Sequence, residues 1–558
     1  MAINQWPKRK GYTMESETTN LIQPPGGEYP FVKTIEEVIV HAQRTMPPDR
    51  ILLQRADGES LTVGEYLSNV GKICNMLLDL GVEKEHNVGV FLPNCLEYSY
   101  LYMVLGRLGV TIVPINQFLK GDSLSFVLNH CDIDYLVTSK ELFVDKIVPI
   151  ARSLKSIGCI LFIGEEIQTD QFRKTLTFSN FRRYPPEFRP SWNVRTTDVQ
   201  GIWLTSGTTG LPKGVIATQE YLLQRLPFLA NLYKLLPSDV IYFVLPMYHQ
   251  PFFLSGVALA MFGGCKLVFV DWFSASKFWE HIVKYRCTIT YTTGTIMAIL
   301  LKQEVGSFEK EGRELIRLWV PWPFDQPEVA VVRWPKTKFL LGYGLSEYCH
   351  AATHSLGNPE TGSQGPATPF TELKICDPET GKELPAGKIG EIVVKSNLGP
   401  AYMMQGYYKS SEETERVLKN GWLHTGDAGY LDEKNFLHFL DRLKDSIRVA
   451  GENVPSVEVE TIIKSHPKVM EAAIVGVKGE LGHDEIMAHV VLNKNEELAP
   501  EEFFEFCIQK LAYFMVPKHL CIREELPKTA TLRVQKYKLR EEGIRPGCFV
   551  RKVSPKKK

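Results

Sequence analysis

Ten consecutive residues, Thr205 to Gly214 (TSGTTGLPKG), bring three glycines, several hydroxyls and one lysine together around a proline. A loop of this kind turns backbone N–H groups, hydroxyls and one cation onto a cluster of phosphate oxygens. The glycines allow close backbone approach and positive φ. Thr205, Ser206, Gly207, Thr208, Thr209, Gly210 and Lys213 are therefore the candidate phosphate-binding residues. The spacing is not that of the P-loop G-x-x-x-x-G-K-[ST]: Pro212 stands between glycine and lysine, and Gly214 follows the lysine. The competing reading is a plain Gly/Thr surface loop.

Positioning such a loop takes strands. Trp203 and Leu204 lead into it and Val215 to Ala217 lead out, which predicts strand, loop, strand. Upstream, Thr62-x-x-Glu65 is a capping box, and Tyr66, Leu67, Val70, Ile73, Cys74, Leu77 and Leu78 recur at helical spacing. Gly81 is placed to cap that helix. A strand at Val88–Leu92, a helix at Glu97–Leu108 and a strand at Val110–Ile115 follow, and further strands fit Tyr242–Pro246 and Cys265–Val270. This alternation predicts an α/β fold with helix-covered, mostly parallel sheets. From about residue 440 the units shorten: strands at Ala472–Val477 and Ile486–Leu492, and a helix at Glu501–Leu511 with Pro500 in its first turn. The expected organisation is an N-terminal extension (1–30), a large domain (31–441) and a small mobile α+β domain (442–558).

The 558 residues exceed one hydrophobic core. Apolar residues make up 44% and charged residues 23%, an ordinary globular balance. Sixty-four basic residues offset sixty-four acidic ones, so overall charge favours neither nucleic acid nor an anionic membrane. No apolar run is long enough for a transmembrane anchor, and the first residues lack the apolar stretch of a signal peptide. The eleven cysteines show no metal or redox spacing and read as free thiols in a reducing cytoplasm. Cys265, Cys349 and Cys376 are given no chemistry.

Further motifs follow in order: PMYH (Pro246–His249), YGLSE (Tyr343–Glu347), GWLHTGD (Gly421–Asp427) and DRLKDSIRVAGENVPSVEVE (Asp441–Glu460). With the glycine loop they resemble the adenylate-forming superfamily of acyl-CoA synthetases, luciferases and adenylation domains. WFSASKFWEHIVKYRCT (Trp272–Thr288), HPKVMEAAIVGVK (His466–Lys478) and the stretch Glu501–Thr529 look most like its crotonobetaine/carnitine–CoA ligase branch. The similarity spans residues 35 to 540. It implies an acid–CoA ligase: a carboxylate attacks the ATP α-phosphate, releasing pyrophosphate, and CoA then displaces AMP.

The resemblance also implies site roles. Tyr343 and Gly344 lie at the adenine, Ser346 at the α-phosphate or acyl carboxylate, and Glu347, with Thr208, at Mg²⁺. A hard Mg²⁺ ion takes one or two carboxylates beside phosphate oxygens. Asp427 and Arg442 hold the ribose, Lys444 lies in the hinge, and Gly451 and Glu452 flank CoA. His249 lines the acyl pocket. The implied partners are a small carboxylic acid, ATP and CoA, with no nucleic acid; a homodimer stays open.

Two stretches depart from the pattern. Where a glycine-rich turn of GGAPL type is expected, the chain reads PWPFDQP (Pro321–Pro327), and Trp322 is assigned to the acyl or purine pocket. Where a Gly-Lys pair is usual, Leu532 and Arg533 stand, and Arg533 takes the catalytic position. Arginine is a planar fork rather than a point charge. Lys536, read as lying on an extended strand, is too far along and on the wrong face to replace it. Arg448 is the second basic catalytic candidate. Alternative readings are a ligand-binding pseudoenzyme with impaired adenylation and an enzyme that loads a carrier protein.

Overall fold

The computed structural model describes residues 30–551, apart from residues 156, 166, 168–171, 173, 189–191, 206–211, 322–326, 349–351, 358–361, 444–446, 450–451, 455, 479–483, 512–514 and 529–533. Two eight-stranded, mostly parallel sheets form the body of the molecule. In one, Asn87–Phe91, Thr111–Pro114, Ile133–Ser139, Cys159–Ile163 and Lys174–Thr177 run parallel, and Val199–Thr205 joins them beside Thr111–Pro114. In the other, Val240–Phe243 is flanked in parallel by Lys266–Phe269 and Ile289–Thr292.

The strands alternate with period two, so each sheet faces two cores. Ile241, Phe243, Leu267 and Phe269 of one sheet meet Val88, Val90, Ile112 and Trp203 of the other in a shared apolar cluster. Their neighbours Tyr242, Val244, Val268 and Val270 turn outward onto Phe278, Trp279 and Trp319. The helices Val63–Asp79 and Leu96–Leu108 are buried in the shared layer. Thr62 makes the capping box with Glu65, and Gly81 takes φ +84° just past the helix end.

A third, antiparallel sheet contains Thr371–Cys376, Gly390–Ser396, Trp422–Leu431 and Leu437–Arg442. Beyond it lies the small C-terminal unit. The hairpin Ile447–Val449/Glu452–Val454 leads into helix Ser456–Lys464 and a sheet of Val469–Lys478, Asp484–Leu492, His519–Arg523 and Phe549–Val550. Helix Pro500–Lys510 begins at the expected proline. Lys302 Nζ of the large domain donates to the Met470 carbonyl of this unit at 3.2 Å.

Two expectations are corrected here. Cys521 and Cys548 form a disulfide, which joins strand His519–Arg523 to the C-terminal strand it pairs with. The pairing brings the two thiols together across 27 residues of sequence. Lys536 opens helix Lys536–Glu542 rather than lying on a strand. The Lys528–Val534 bridge and the Gln535 N–H bond to Pro527 close a loop, and the chain turns helical directly after it. Among the described residues no helix is long and apolar enough to cross a membrane.

Candidate active site

The glycine-rich segment joins two antiparallel strands, Val199–Thr205 and Lys213–Thr218, as the flanking residues predict. Thr205 and Lys213 pair across its mouth. Gly214 is required by packing: a Cβ there would sit 2.4 Å from Ile202 Cγ2. Ser206, Gly207, Thr208, Thr209 and Gly210 lie outside the described residues.

Lys213 is ion-paired with Glu413 of helix Ser411–Val417, and Arg416 also donates to Glu413, at 2.7 Å. The Lys213 ammonium lies 5.3 Å from the centre of the Tyr407 ring. Tyr407 sits on the short edge strand Gly406–Tyr407, which pairs with Lys213–Thr218. Its hydroxyl donates to Glu347 Oε1 at 2.8 Å. Burial, with Glu347 next, pushes the Tyr407 pKa up, so the phenol keeps its proton. The phosphate-loop lysine and the expected metal carboxylate thus meet on one tyrosine.

Glu347 lies in the turn Ser346–Tyr348, which follows strand Lys338–Leu341 of the second large sheet. The ends of parallel strands are where open α/β sheets place their ligands. The Tyr221 hydroxyl donates to the Ser346 carbonyl at 2.9 Å, and the Met404 N–H donates to the Glu347 carbonyl at 3.2 Å. The turn is therefore held from both sides. Tyr407 orients the carboxylate through Oε1 of Glu347, and Oε2 could meet a metal. One such carboxylate suits Mg²⁺, which takes most of its ligands from phosphate and water.

Asp427 and Arg442 stand directly opposite each other on paired strands of the antiparallel sheet. Arg442 Nε lies 2.9 Å from Asp427 Oδ1, and the Tyr343 hydroxyl donates to Oδ2 at 2.6 Å. Asp427 is 3% exposed, whereas its arginine is about half exposed. Gly426 takes φ +69° immediately before it. Tyr343 packs one ring face on Phe439, at 5.9 Å between centres. Burial first, then the Asp427 charge, raises the Tyr343 pKa well above its ordinary value. Gly344 follows in the same segment.

The rings of His249 and Tyr248 lie tilted against each other, 4.5 Å between centres, past the end of strand Val240–Phe243. Trp322, Lys444, Gly451 and Arg533 lie outside the described residues. Arg448 and Glu452 belong to the hairpin Ile447–Val449/Glu452–Val454, with Arg448 opposite Asn453. Lys536 is bound to Glu460 at 2.8 Å and to Ser456, which keeps it within the small domain. Tyr407, Glu413 and Tyr221 went unread in the sequence, because each reaches its partner from a segment distant along the chain.

The AMP-binding enzyme model matches residues 40–408, and the model of the AMP-binding enzyme C-terminal domain matches residues 458–532. A crotonobetaine/carnitine–CoA ligase of Citrobacter koseri is 31% identical over 491 residues, covering 84% of this chain and 91% of that protein. A Shigella dysenteriae protein of the same name is 31% identical over 482 residues, with the same coverage. Among solved structures, the anthranilate CoA ligase AuaEII in complex with anthranoyl-AMP aligns with a TM-score of 0.79 at 25% identity. That alignment covers 90% of this chain and 96% of that one. ATP-bound MatB from Rhodopseudomonas palustris shares the fold, with a TM-score of 0.78 at 24% identity over 90% of this chain and 98% of its own. By sequence match and by fold, the chain belongs to the AMP-binding enzyme family.

Proposed function

We propose that this chain is an ATP-dependent acid–CoA ligase acting through an acyl-adenylate. The observation that supports it best is the joined set Lys213–Tyr407–Glu347 beside Tyr343–Asp427–Arg442. The first set offers a cation and a carboxylate to a triphosphate. The second offers a buried carboxylate to ribose hydroxyls. Tyr343, with Gly344, faces the purine with the ring side not taken by Phe439.

In the first half-reaction the acid carboxylate attacks the α-phosphorus of ATP, the bond to the β-phosphate oxygen breaks, and pyrophosphate leaves. The work of the protein is positioning and charge stabilisation. Lys213 and the loop residues Thr205, Ser206, Gly207, Thr208, Thr209 and Gly210 hold phosphate oxygens. Ser346 and Arg533 meet the α-phosphate and the acid. Glu347, with Thr208, would hold Mg²⁺, which neutralises phosphate charge when bound. In the second half-reaction the CoA thiol displaces AMP from the acyl carbon. The small domain, residues 442–558, turns about Lys444 to bring Gly451, Glu452 and Arg448 to that step. His249 and Trp322 line the acid pocket. A cytoplasmic enzyme is the compartment proposed here, where ATP and CoA are both at hand, and light scattering in solution decides between monomer and homodimer.

The test is pyrophosphate release with a panel of acids, with and without CoA. Release without CoA, followed by acyl-CoA formation when CoA is added, is the expected result. Absence of release with every acid, despite ATP binding, would return the chain to the pseudoenzyme reading.

A further inference from the structure

A second set of buried polar residues includes Arg225, which packs on Tyr348 of the Ser346–Tyr348 turn. Gln224 and Arg225 fill the junction between helices Gln219–Leu223 and Leu226–Leu232. Both helices pack on the π-helical segment Phe252–Ala258, which Gln250 leads into. Gln224 and Arg225 are each 4% exposed and Gln250 is 2% exposed. Neither polar side-chain atom of Gln224 or of Gln250 has a hydrogen-bond partner, nor do Nε and Nη1 of Arg225.

Arg225 decides what this group is for. Its Nη2 donates to the Tyr402 carbonyl at 3.1 Å. The rings of Tyr348 and Phe370 lie 5.1 and 4.8 Å from its guanidinium carbon. Phe370 in turn packs on Phe228, which meets His354, a buried histidine whose Nδ1 is also without a partner. Among the described residues no carboxylate pairs with Arg225. Ring stacking offsets part of the cost of burying a guanidinium, but it leaves Nε and Nη1 without a hydrogen-bond partner. Buried polar atoms left in this state call for a specific explanation. Here the site next door supplies one. Tyr348 directly follows Glu347, and Tyr221, one helical turn before Arg225, holds the Ser346 carbonyl.

We infer that Arg225 is a specificity residue, and that the acid activated by this enzyme carries a second, anionic carboxylate that pairs with its Nε and Nη1. The inference rests on the ligase reading above. A charged group on the acid completes a buried ion pair. A trimethylammonium acid needs an aromatic cage or an acidic partner, and a buried guanidinium opposes it. Similarity to carnitine-type ligases therefore extends to the reaction and not to the acid.

The experiment compares acids of matched size: succinate with butyrate, adipate with hexanoate, phthalate with benzoate, and 4-(trimethylammonio)butyrate as the cationic member. Pyrophosphate release gives kcat/KM for each, on the full chain and on Arg225→Met and Arg225→Lys. At least one dicarboxylate is expected to exceed its monocarboxylate partner by about tenfold or more, the scale set by a site whose buried polar groups need a partner. Arg225→Met removes or inverts that ratio, Arg225→Lys keeps part of it, and KM for ATP stays within about twofold. A merely structural arginine would lower all acids alike. Preference for a monocarboxylate or the betaine, or a ratio unchanged in Arg225→Met, overturns the inference and leaves the ligase reading standing. Should Arg225→Met fail to fold, the wild-type ratios and Arg225→Lys decide. No release with any of these acids, or with a wider fatty and aryl set, overturns the ligase reading and this inference with it.

Discussion

Asp427 and Tyr343 are about as buried as Gln224, Arg225 and Gln250, yet Tyr343 is bonded to Asp427 and Asp427 is ion-paired with Arg442, while the others carry side-chain atoms without a hydrogen-bond partner. Arg225 packs on Tyr348, in the turn that follows Tyr343 closely along the chain. On the nucleotide side the charges are already paired and aimed, so little reorganisation accompanies binding of a ligand that never changes. On the side proposed above to meet the acid, Nε and Nη1 of Arg225 are left open, as suits a ligand that differs between relatives. Such a division lets one catalytic frame serve many acids.

The contrast can be broken most severely at Glu347. Glu347→Gln removes the metal charge partner and is expected to lower pyrophosphate release by about 100-fold or more, with the thermal midpoint unchanged. Near-normal release at low Mg²⁺ would sink the metal assignment. A smaller effect is expected at Tyr407, which orients that carboxylate through Oε1. Tyr407→Phe should raise the Mg²⁺ requirement about 10- to 100-fold, with activity recovering at high metal. Manganese binding followed by electron paramagnetic resonance in the presence of ATP gives a second reading of the same quantity, and an unshifted titration would reduce Tyr407 to packing.

Arg533 comes next. If a forked guanidinium is poorly matched to the place of a compact ammonium, Arg533→Lys combined with Leu532→Gly raises adenylation severalfold and leaves use of pre-formed acyl-AMP unchanged. Unchanged or slower pyrophosphate release would mean that the pocket is built around arginine. Lys536 offers no relief, because Glu460 and Ser456 already hold it.

The smallest expected effect is on stability. Burial lowers the pKa of His354 to about 4, and that of His489, beside Arg523, also to about 4. Both are neutral in the folded chain across the range where an unfolded histidine gains its proton. Their contribution is therefore full above pH 6.5 and is lost as pH falls toward 4. Between pH 7 and 5.5 the loss is roughly 1 kcal/mol for each. Denaturant unfolding of His354→Asn and His489→Asn should each show a shallower pH slope than the parent. Equal slopes would place the acid sensitivity elsewhere.

Much of this was legible in the sequence where function and local pattern coincide. The strands on either side of the glycine loop, the Thr62 capping box and the strand at Val88 follow from short-range periodicity. Asp427 and Arg442 were readable as motif members, and the structure adds that they are cross-strand partners. What could not be read depends on distant pairs. Tyr407 reaches Glu347 across 60 residues, and Lys213 meets Glu413 across 200. No local spacing encodes such contacts. Lys536 was misread for a related reason: a bridge from Lys528 to Val534 closes the loop before it and frees the chain to coil into a helix. The Cys521–Cys548 link likewise depends on a strand pairing that spacing alone does not disclose.

The pairing of Lys213 with Glu413 has a consequence for how ATP is captured. A bare lysine at the phosphate loop would gain a whole new ion pair on binding, and its attraction would fade quickly with added salt. Here Glu413, itself shared with Arg416, already neutralises that charge. The arriving triphosphate exchanges one partner for another. Nucleotide affinity should therefore be comparatively insensitive to ionic strength, and Glu413→Gln should make it both tighter at low salt and steeper in its decline. On this expectation the carboxylate would serve as a resident counter-ion that levels nucleotide capture across changing ionic conditions.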